Sequence, residues 1–146
     1  DRPLDYGDRF MCLWMSFSSW MHGKFGEDLK DFELINKVVS LTEFIQIFDN
    51  LKDNDCELKE YLTELRKVEV EDMRFFTKPE TERCSKKYNG DFASYIRVIY
   101  QIRCNLFHGR KDSNFDKDMT LIKIAFKSFL IIFKEYLQKH DMEYIK

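Results

Sequence analysis

Residues 115–139 constrain the fold most, because this segment is apolar almost all the way round a helix. Its large apolar side chains are those of Leu121, Ile122, Ile124, Phe126, Phe129, Leu130, Ile131, Ile132, Phe133, Tyr136 and Leu137. A helix without a continuous polar face has to be covered on several sides. We therefore expect it either to run through the centre of a bundle or to be covered in part by a second subunit.

Four further segments have apolar residues at helical spacing, at about 8–24, 28–51, 57–75 and 91–108. Between the last two, residues 77–90 form one long loop that contains Pro79 and closes on an Asn89-Gly90 turn signal, after which Asp91 can cap the next helix. The chain is rich in aromatic residues and has only 5 glycines and 2 prolines. These features predict one all-α domain over residues 1–146, a bundle of four to five helices.

Charge and cysteine usage limit the partners and cofactors. The formal net charge is −2, so a polyanionic partner would need a local basic patch. Cys12, Cys56, Cys84 and Cys104 form no CxxC pair, and with 3 histidines they give no zinc-ligand spacing. No apolar run approaches the roughly 18 residues of a membrane span, and there is no secretory signal. We expect a reduced, cytoplasmic protein without a metal or other cofactor.

The helix over 91–108 carries the only strong chemical signal. Its core stripe is Phe92, Tyr95, Ile96, Ile99, Ile102 and Leu106. Arg103, Asn105 and His108 lie towards its end, before Gly109. An arginine and a histidine at a helix end are the minimum for binding a phosphodiester and moving a proton on it. The bland alternative is a helix cap, in which His108 bonds free carbonyls and Gly109 takes the left-handed position.

Helix geometry separates the two main side chains. Arg103 and His108 are five residues apart, so on an ideal helix they project about 140° away from each other. Either the helix ends early and His108 swings round on a frayed last turn, or two subunits pair so that residues from both copies meet in one cleft.

The run over residues 102–109, Ile-Arg-Cys-Asn-Leu-Phe-His-Gly, resembles the signature of HEPN domains. That all-α family has an arginine, four to six further residues and then a histidine near the end of a late helix. The aromatic segment over residues 10–20 is similar to the first helix of some members. The resemblance covers most of the chain in helix order and is sharp over about ten residues.

The resemblance implies metal-independent RNA cleavage by a homodimer with two motifs flanking one cleft. Arg103 would bind the scissile phosphate, His108 would transfer the proton, and Asn105 would orient the histidine or the phosphate. The products would be a 2′,3′-cyclic phosphate and a 5′-hydroxyl. The family's usual setting is defence or toxin–antitoxin systems, which implies an antitoxin or regulatory protein as a further partner.

Basic and aromatic residues near this helix suggest how RNA would be held. Arg110, Lys111, Arg97, Lys86 and Lys87 fit a basic rim that steers RNA, and they fit ordinary solvated charges equally well. Base stacking would need exposed aromatic rings, for which Tyr88, Tyr95 and Tyr100 are available, Tyr95 being on the core stripe.

Two other functions remain open. One is a catalytically silent HEPN-like module that uses the dimer surface to bind a protein or nucleotide partner. The other is a non-catalytic nucleic-acid binder, which the net charge of −2 disfavours.

Overall fold

The computed structural model describes residues 5–72, 85–109 and 115–140, apart from the side chains of residues 108, 109 and 115–118. The elements in chain order are α1 (Tyr6–Phe25), α2 (Asp31–Val38), α3 (Thr42–Asn54), α4 (Cys56–Leu65), β1 (Glu69–Glu71), β2 (Ser85–Lys87), α5 (Phe92–Gly109) and α6 (Phe115–His140). The described chain is mostly helical, which confirms the predicted all-α class. Its helices include none that is both long and apolar enough to cross a membrane.

Helix α6 lies at the centre of the bundle. It contacts α1, α3, α4 and α5, and its residues Phe129, Ile132 and Tyr136 are buried. Among the large apolar side chains described on α6, Leu130 is the one that is well exposed, at 40%. Of the two explanations for the apolar circumference of this helix, the central position is therefore the one observed. The composition of α6 does not by itself call for a second subunit.

Aromatic rings join α1 to α6. The ring of Phe17 lies edge-on to Phe129, with centroids 4.7 Å apart, and edge-on to Phe133 at 5.2 Å. Helix α3 joins the same cluster through Phe44, whose ring stacks on Tyr136 at 4.3 Å. Offset and edge-to-face ring pairs of this kind add to the stabilisation that burial provides.

The segment predicted as a second helix, residues 28–51, is two helices. Helix α2 ends at Val38, and Leu41 has extended backbone (φ −79°, ψ 107°) where α3 begins. The turn lets both Val38 and Phe44 reach the core. Periodicity alone did not reveal the turn, because residues 39–41 carry no glycine or proline.

The predicted third helix is also shorter than expected. Helix α4 ends at Leu65, and β1 follows and pairs antiparallel with β2, Glu69 lying opposite Lys87. Val68, which lies within the predicted helix over 57–75, is exposed, whereas Val70 is buried. Alternation of glutamate and valine over 69–71 suits a short strand with one face inward. Pro79 and most of the loop predicted over residues 77–90 lie outside the described residues.

The predicted turn and cap before α5 are both present. Gly90 has φ +112°, a conformation that residues with a side chain rarely adopt. Asp91 Oδ1 accepts a hydrogen bond of 2.7 Å from the Ser94 amide, which fixes the first turn of α5. Hydrogen bonds from the Ser94 side chain and backbone hold the pKa of Asp91 below its ordinary value.

We expect Asp91 to give α5 a pH-dependent contribution to stability. Because its folded pKa is lowered, the contribution is fully present above the unfolded pKa of about 4 and is lost as pH falls through the folded pKa. Asp91→Ala should lower the free energy of unfolding at pH 7 by about 1 kcal/mol. Urea denaturation at several pH values measures both effects.

Asp91→Asn is the matched control, since asparagine caps helices well but does not titrate. At pH 7 its free energy of unfolding should be close to that of the unmodified protein. As the pH falls, it should not lose the stability that the charged Asp91 contributes. Equal acid sensitivity in the protein and in Asp91→Asn would contradict the assignment.

Candidate nucleic-acid site at the end of helix α5

Helix α5 is held on several sides. It packs against α1, α2, α3 and α6, and the β1–β2 hairpin lies against it as well. All six residues of the predicted core stripe are buried: Phe92, Tyr95, Ile96, Ile99, Ile102 and Leu106. Val98 and Gln101 are buried too, because the helix is covered over a wider arc than its apolar stripe indicates. The helix therefore presents only a limited surface near its end.

Arg103 reaches that surface. Its side chain is 27% exposed, and Nη2 lies 3.9 Å from Asp31 Oδ2 at the start of α2. The centre of the guanidinium lies 6.0 Å from the centroid of the Phe107 ring. Its Nε is buried and has no hydrogen-bond partner among the described residues. The Asp31 contact is longer than an ordinary hydrogen bond, so the guanidinium keeps donor capacity for another oxygen.

Asp31 lies between two basic groups. Its Oδ1 is 3.9 Å from His22 Nε2 near the end of α1, while Oδ2 faces Arg103. No sequence pattern pointed to Asp31 or His22 at this site, because both are more than 70 residues from Arg103 along the chain. Only the packing of α1, α2 and α5 brings them together. The result is a small charged cluster, His22–Asp31–Arg103.

Asn105 makes contacts that tie α5 to the hairpin. Its Nδ2 donates a hydrogen bond of 2.6 Å to the Glu71 carbonyl, and its Oδ1 accepts one of 3.0 Å from Gln101 Nε2. The first bond joins β1 to the helix, and the second lies within α5. The predicted role of Asn105 in orienting the histidine or the phosphate stays a prediction beside this structural one.

The backbone of α5 is helical through Gly109, so the helix does not end before His108. Two arrangements were expected to bring Arg103 and His108 together: an early end of the helix, or the pairing of two subunits. The early end of the helix is not observed. The side chain of His108 lies outside the described residues, as do Arg110 and Lys111.

The predicted basic rim is only partly assembled. Arg97 is exposed, and its Nη2 donates to Asn36 Oδ1 at 3.5 Å, so Arg97 and Arg103 both reach residues of α2. Lys86 and Lys87 are exposed on β2 of the hairpin. Arg97 and Arg103 thus lie on the side of α5 that faces α2. Lys86 and Lys87 lie on β2, which packs against α5.

The aromatic residues predicted for stacking are placed differently from the expectation. Tyr88 and Tyr95 are buried, and Tyr100 stacks on Trp14 with centroids 5.8 Å apart. Burial raises the pKa of Tyr88 and of Tyr100 to about 12 each. The exposed ring near Arg103 belongs instead to Phe107, which is 68% exposed. The position of Phe107 off the core stripe was the signal that could have identified it.

The described residues include no group of three or more histidine, cysteine, aspartate or glutamate side chains placed to hold a metal ion. Cys12, Cys56 and Cys104 are free thiols. The groups that meet at the end of α5 are therefore an arginine, a carboxylate, an imidazole and an exposed ring. Such groups bind phosphates and bases and transfer protons.

We expect Asn105→Ala to lower the free energy of unfolding by about 1–2 kcal/mol, because the Glu71 carbonyl and the Gln101 amide each lose a partner. Urea denaturation measures this. Asn54→Ala is the matched control, since the hydrogen bond from the Asn54 side-chain amide to the Asn50 carbonyl is exposed. Its removal should change the free energy of unfolding by less than about 0.5 kcal/mol. Unchanged stability of Asn105→Ala with loss of RNA cleavage would instead show a catalytic role.

Comparison with known protein families, with curated proteins and with solved structures gives no match for this chain. The resemblance to HEPN domains therefore rests on residues 102–109 and on the order of the helices.

Proposed function

We propose that this protein is a metal-independent endoribonuclease that acts as a homodimer, with Arg103 and His108 at its centre. The observation that carries the proposal is the position of Arg103. Its guanidinium is partly exposed near the end of α5, a little over one turn before His108, and its Nη2 lies 3.9 Å from Asp31 Oδ2, which is too far for an ordinary hydrogen bond. A cation with spare donors beside a histidine-bearing helix end suits a phosphodiester.

The reaction needs no cofactor. The ribose 2′-oxygen attacks the adjacent phosphorus, a bond forms between these two atoms, and the bond from phosphorus to the 5′-oxygen breaks. One proton leaves the 2′-hydroxyl and one reaches the departing 5′-oxygen. His108 serves one of these transfers, since histidine titrates near neutral pH. Arg103 offsets the charge that builds on the phosphate oxygens.

The geometry of α5 supports the dimer in this proposal. Because the helix continues through Gly109, one chain directs Arg103 and His108 about 140° apart on ideal geometry. A second copy can bring its own histidine to the arginine of the first. The apolar surface of α6 gives no further support for the dimer, because helices of the same chain cover it.

Asp31 sets a condition on RNA binding. Its carboxylate is an anion beside Arg103, so an RNA phosphate must share the guanidinium with it or displace it. The two groups are both partly exposed and 3.9 Å apart, and exposed ion pairs of this kind are weak. A phosphate can therefore compete for the arginine.

The alternative function is a catalytically silent module that binds a protein or nucleotide partner. It is favoured by the internal partners of two motif residues, since Arg103 faces Asp31 and Asn105 bonds to the Glu71 carbonyl. On this alternative these side chains stabilise the fold. By the family resemblance, a defence or toxin–antitoxin setting with an antitoxin or regulatory protein belongs to the ribonuclease proposal.

We expect the protein to cleave labelled single-stranded or structured RNA in EDTA and to leave cyclic-phosphate ends. Arg103→Ala and His108→Ala should each lower the rate by about 100-fold or more, because each removes a group that acts on the transition state. Arg66→Ala and His140→Ala are matched controls, since both side chains are exposed and lie on other helix ends. Melting curves confirm that every variant is folded.

An absence of cleavage across a broad RNA panel would contradict the proposal, as would activity that survives both substitutions. The silent binding module would then be the better assignment.

We also expect an unpaired base to stack on Phe107, because the ring is exposed beside the proposed phosphate ligand Arg103. In the His108→Ala background, Phe107→Ala should weaken binding of single-stranded RNA about tenfold and Phe107→Trp should retain it. Fluorescence anisotropy measures both. Binding of duplex RNA should change little, since its bases are already stacked.

Met15→Ala is the control for Phe107→Ala, since Met15 is 66% exposed and lies on α1. Equal RNA affinity for Phe107→Ala would exclude the stacking role. A change from dimer to monomer, seen by light scattering, would place Phe107 in the subunit interface instead.

A further inference from the structure

Three cations surround one tyrosine near the start of α1. Arg9 Cζ lies 5.5 Å from the centroid of the Tyr6 ring, Lys123 Nζ lies 5.5 Å from it, and Lys127 Nζ lies 5.8 Å from it. All three charges therefore share a small patch, formed where α1 meets α6. The motif at the end of α5 involves none of these residues.

These three cations, here called the Tyr6 cluster together with Tyr6, form no ion pair with a carboxylate among the described residues. The ion pairs between described residues involve other side chains. Each cation gains only its contact with the aromatic ring, which is weak at an exposed site. Like charges confined to one patch repel each other over about a Debye length, so an anion bound between them would be stabilised.

A cavity lies next to the Tyr6 cluster, between α4 and α6. Its volume is about 760 Å³, and Lys123 lines it as well as facing Tyr6. Thr63 and Thr120 contribute hydroxyl groups, and Tyr61 lines the same wall as Thr63. Small-molecule sites are typically clefts of roughly 300–1,000 Å³ with a few well-placed polar groups.

The two sides of this cavity differ in charge. Lys123 stands on the α6 side, whereas Glu60 and Glu64 stand on the α4 side, where Lys59 also lies. Glu64 is paired with Lys67 at 3.0 Å, which leaves its outer lone pairs able to accept from a hydroxyl. A ligand that is anionic at one end and carries hydroxyl groups at the other fits this division.

We propose that the cavity between α4 and α6 binds a phosphorylated small molecule, with its phosphate at the edge of the cavity. Lys123 lines the cavity there, and Lys127 and Arg9, which lie outside the lining, reach the phosphate from the Tyr6 ring that they share with Lys123. The remainder of the ligand lies against α4, where Glu60 and Glu64 accept hydrogen bonds from its hydroxyl groups. The site is separate from the proposed ribonuclease centre and does not depend on it. A long polyanion fits less well, because its backbone would also meet the carboxylates of α4.

Isothermal titration calorimetry with inorganic tripolyphosphate, ATP and ribose 5-phosphate tests the proposal, with ribose as the probe that lacks phosphate. We expect saturable binding of at least one phosphorylated probe and none of ribose. A double substitution, Lys123→Gln with Lys127→Gln, should weaken that binding at least tenfold. Lys134→Gln, an exposed lysine on the same helix, should leave it unchanged. Melting curves establish that both variants are folded.

Thr63→Trp separates the cavity from the charges. The indole would fill the space beside α4. It should therefore weaken the binding of ATP or ribose 5-phosphate more than the binding of tripolyphosphate. An absence of binding by all three phosphorylated probes at about 1 mM would overturn the proposal. Equal affinity in the double variant would overturn it too.

A competition experiment shows whether the Tyr6 cluster binds the phosphate of a small molecule or the backbone of RNA. It uses Arg103→Ala protein, which lacks the proposed cleavage-site arginine, and a single-stranded oligoribonucleotide. If the oligonucleotide displaces the small probe and loses affinity by the same factor in the double variant, the cluster serves the RNA backbone and the small-ligand assignment is wrong. If it does neither, the small-ligand assignment stands.

Discussion

The packing of α1 on α6 through Phe17, Phe129 and Phe133 determines where the other helices lie. Helix α6 acts as the axis of the bundle because four helices of the same chain pack around it. Those helices cover most of its apolar side chains. Helix α3 adds Phe44 to the same ring cluster. Removing one of these rings would leave a cavity at the point where the helices meet, and such cavities are costly because interiors are closely packed.

The position of α5 in this bundle gives the candidate site its character. Its core stripe is buried on the helices, and the β1–β2 hairpin covers a further side through the Asn105 bond to the Glu71 carbonyl. Among the described side chains near the end of the helix, Phe107 is exposed, and Arg103, which faces Asp31 of α2, is partly exposed. The proposed RNA site at this place is therefore narrow, with Arg103 beside the Phe107 ring and Asp31 as an anion that would compete with a phosphate.

The two proposed sites solve different electrostatic problems. At the end of α5 the arginine already has a carboxylate near it, so RNA must compete for it. Around Tyr6 three cations share an aromatic ring and form no ion pair with another described residue, so a small anion would relieve their repulsion. The net charge of −2 conceals this second patch, because the acidic residues elsewhere balance it in the total.

The sequence by itself determined the helical class, the core stripe of α5, the turn at Gly90 and the cap at Asp91, because periodicity and local hydrogen bonding act over a few residues. It did not reveal the turn between α2 and α3 or the β1–β2 hairpin, since tertiary burial overrides weak local preferences there. Only the tertiary structure placed Asp31 and His22 beside Arg103, exposed Phe107, and gathered Arg9, Lys123 and Lys127 around Tyr6. Those contacts join residues far apart in the chain, and their geometry depends on how helices pack rather than on any local pattern.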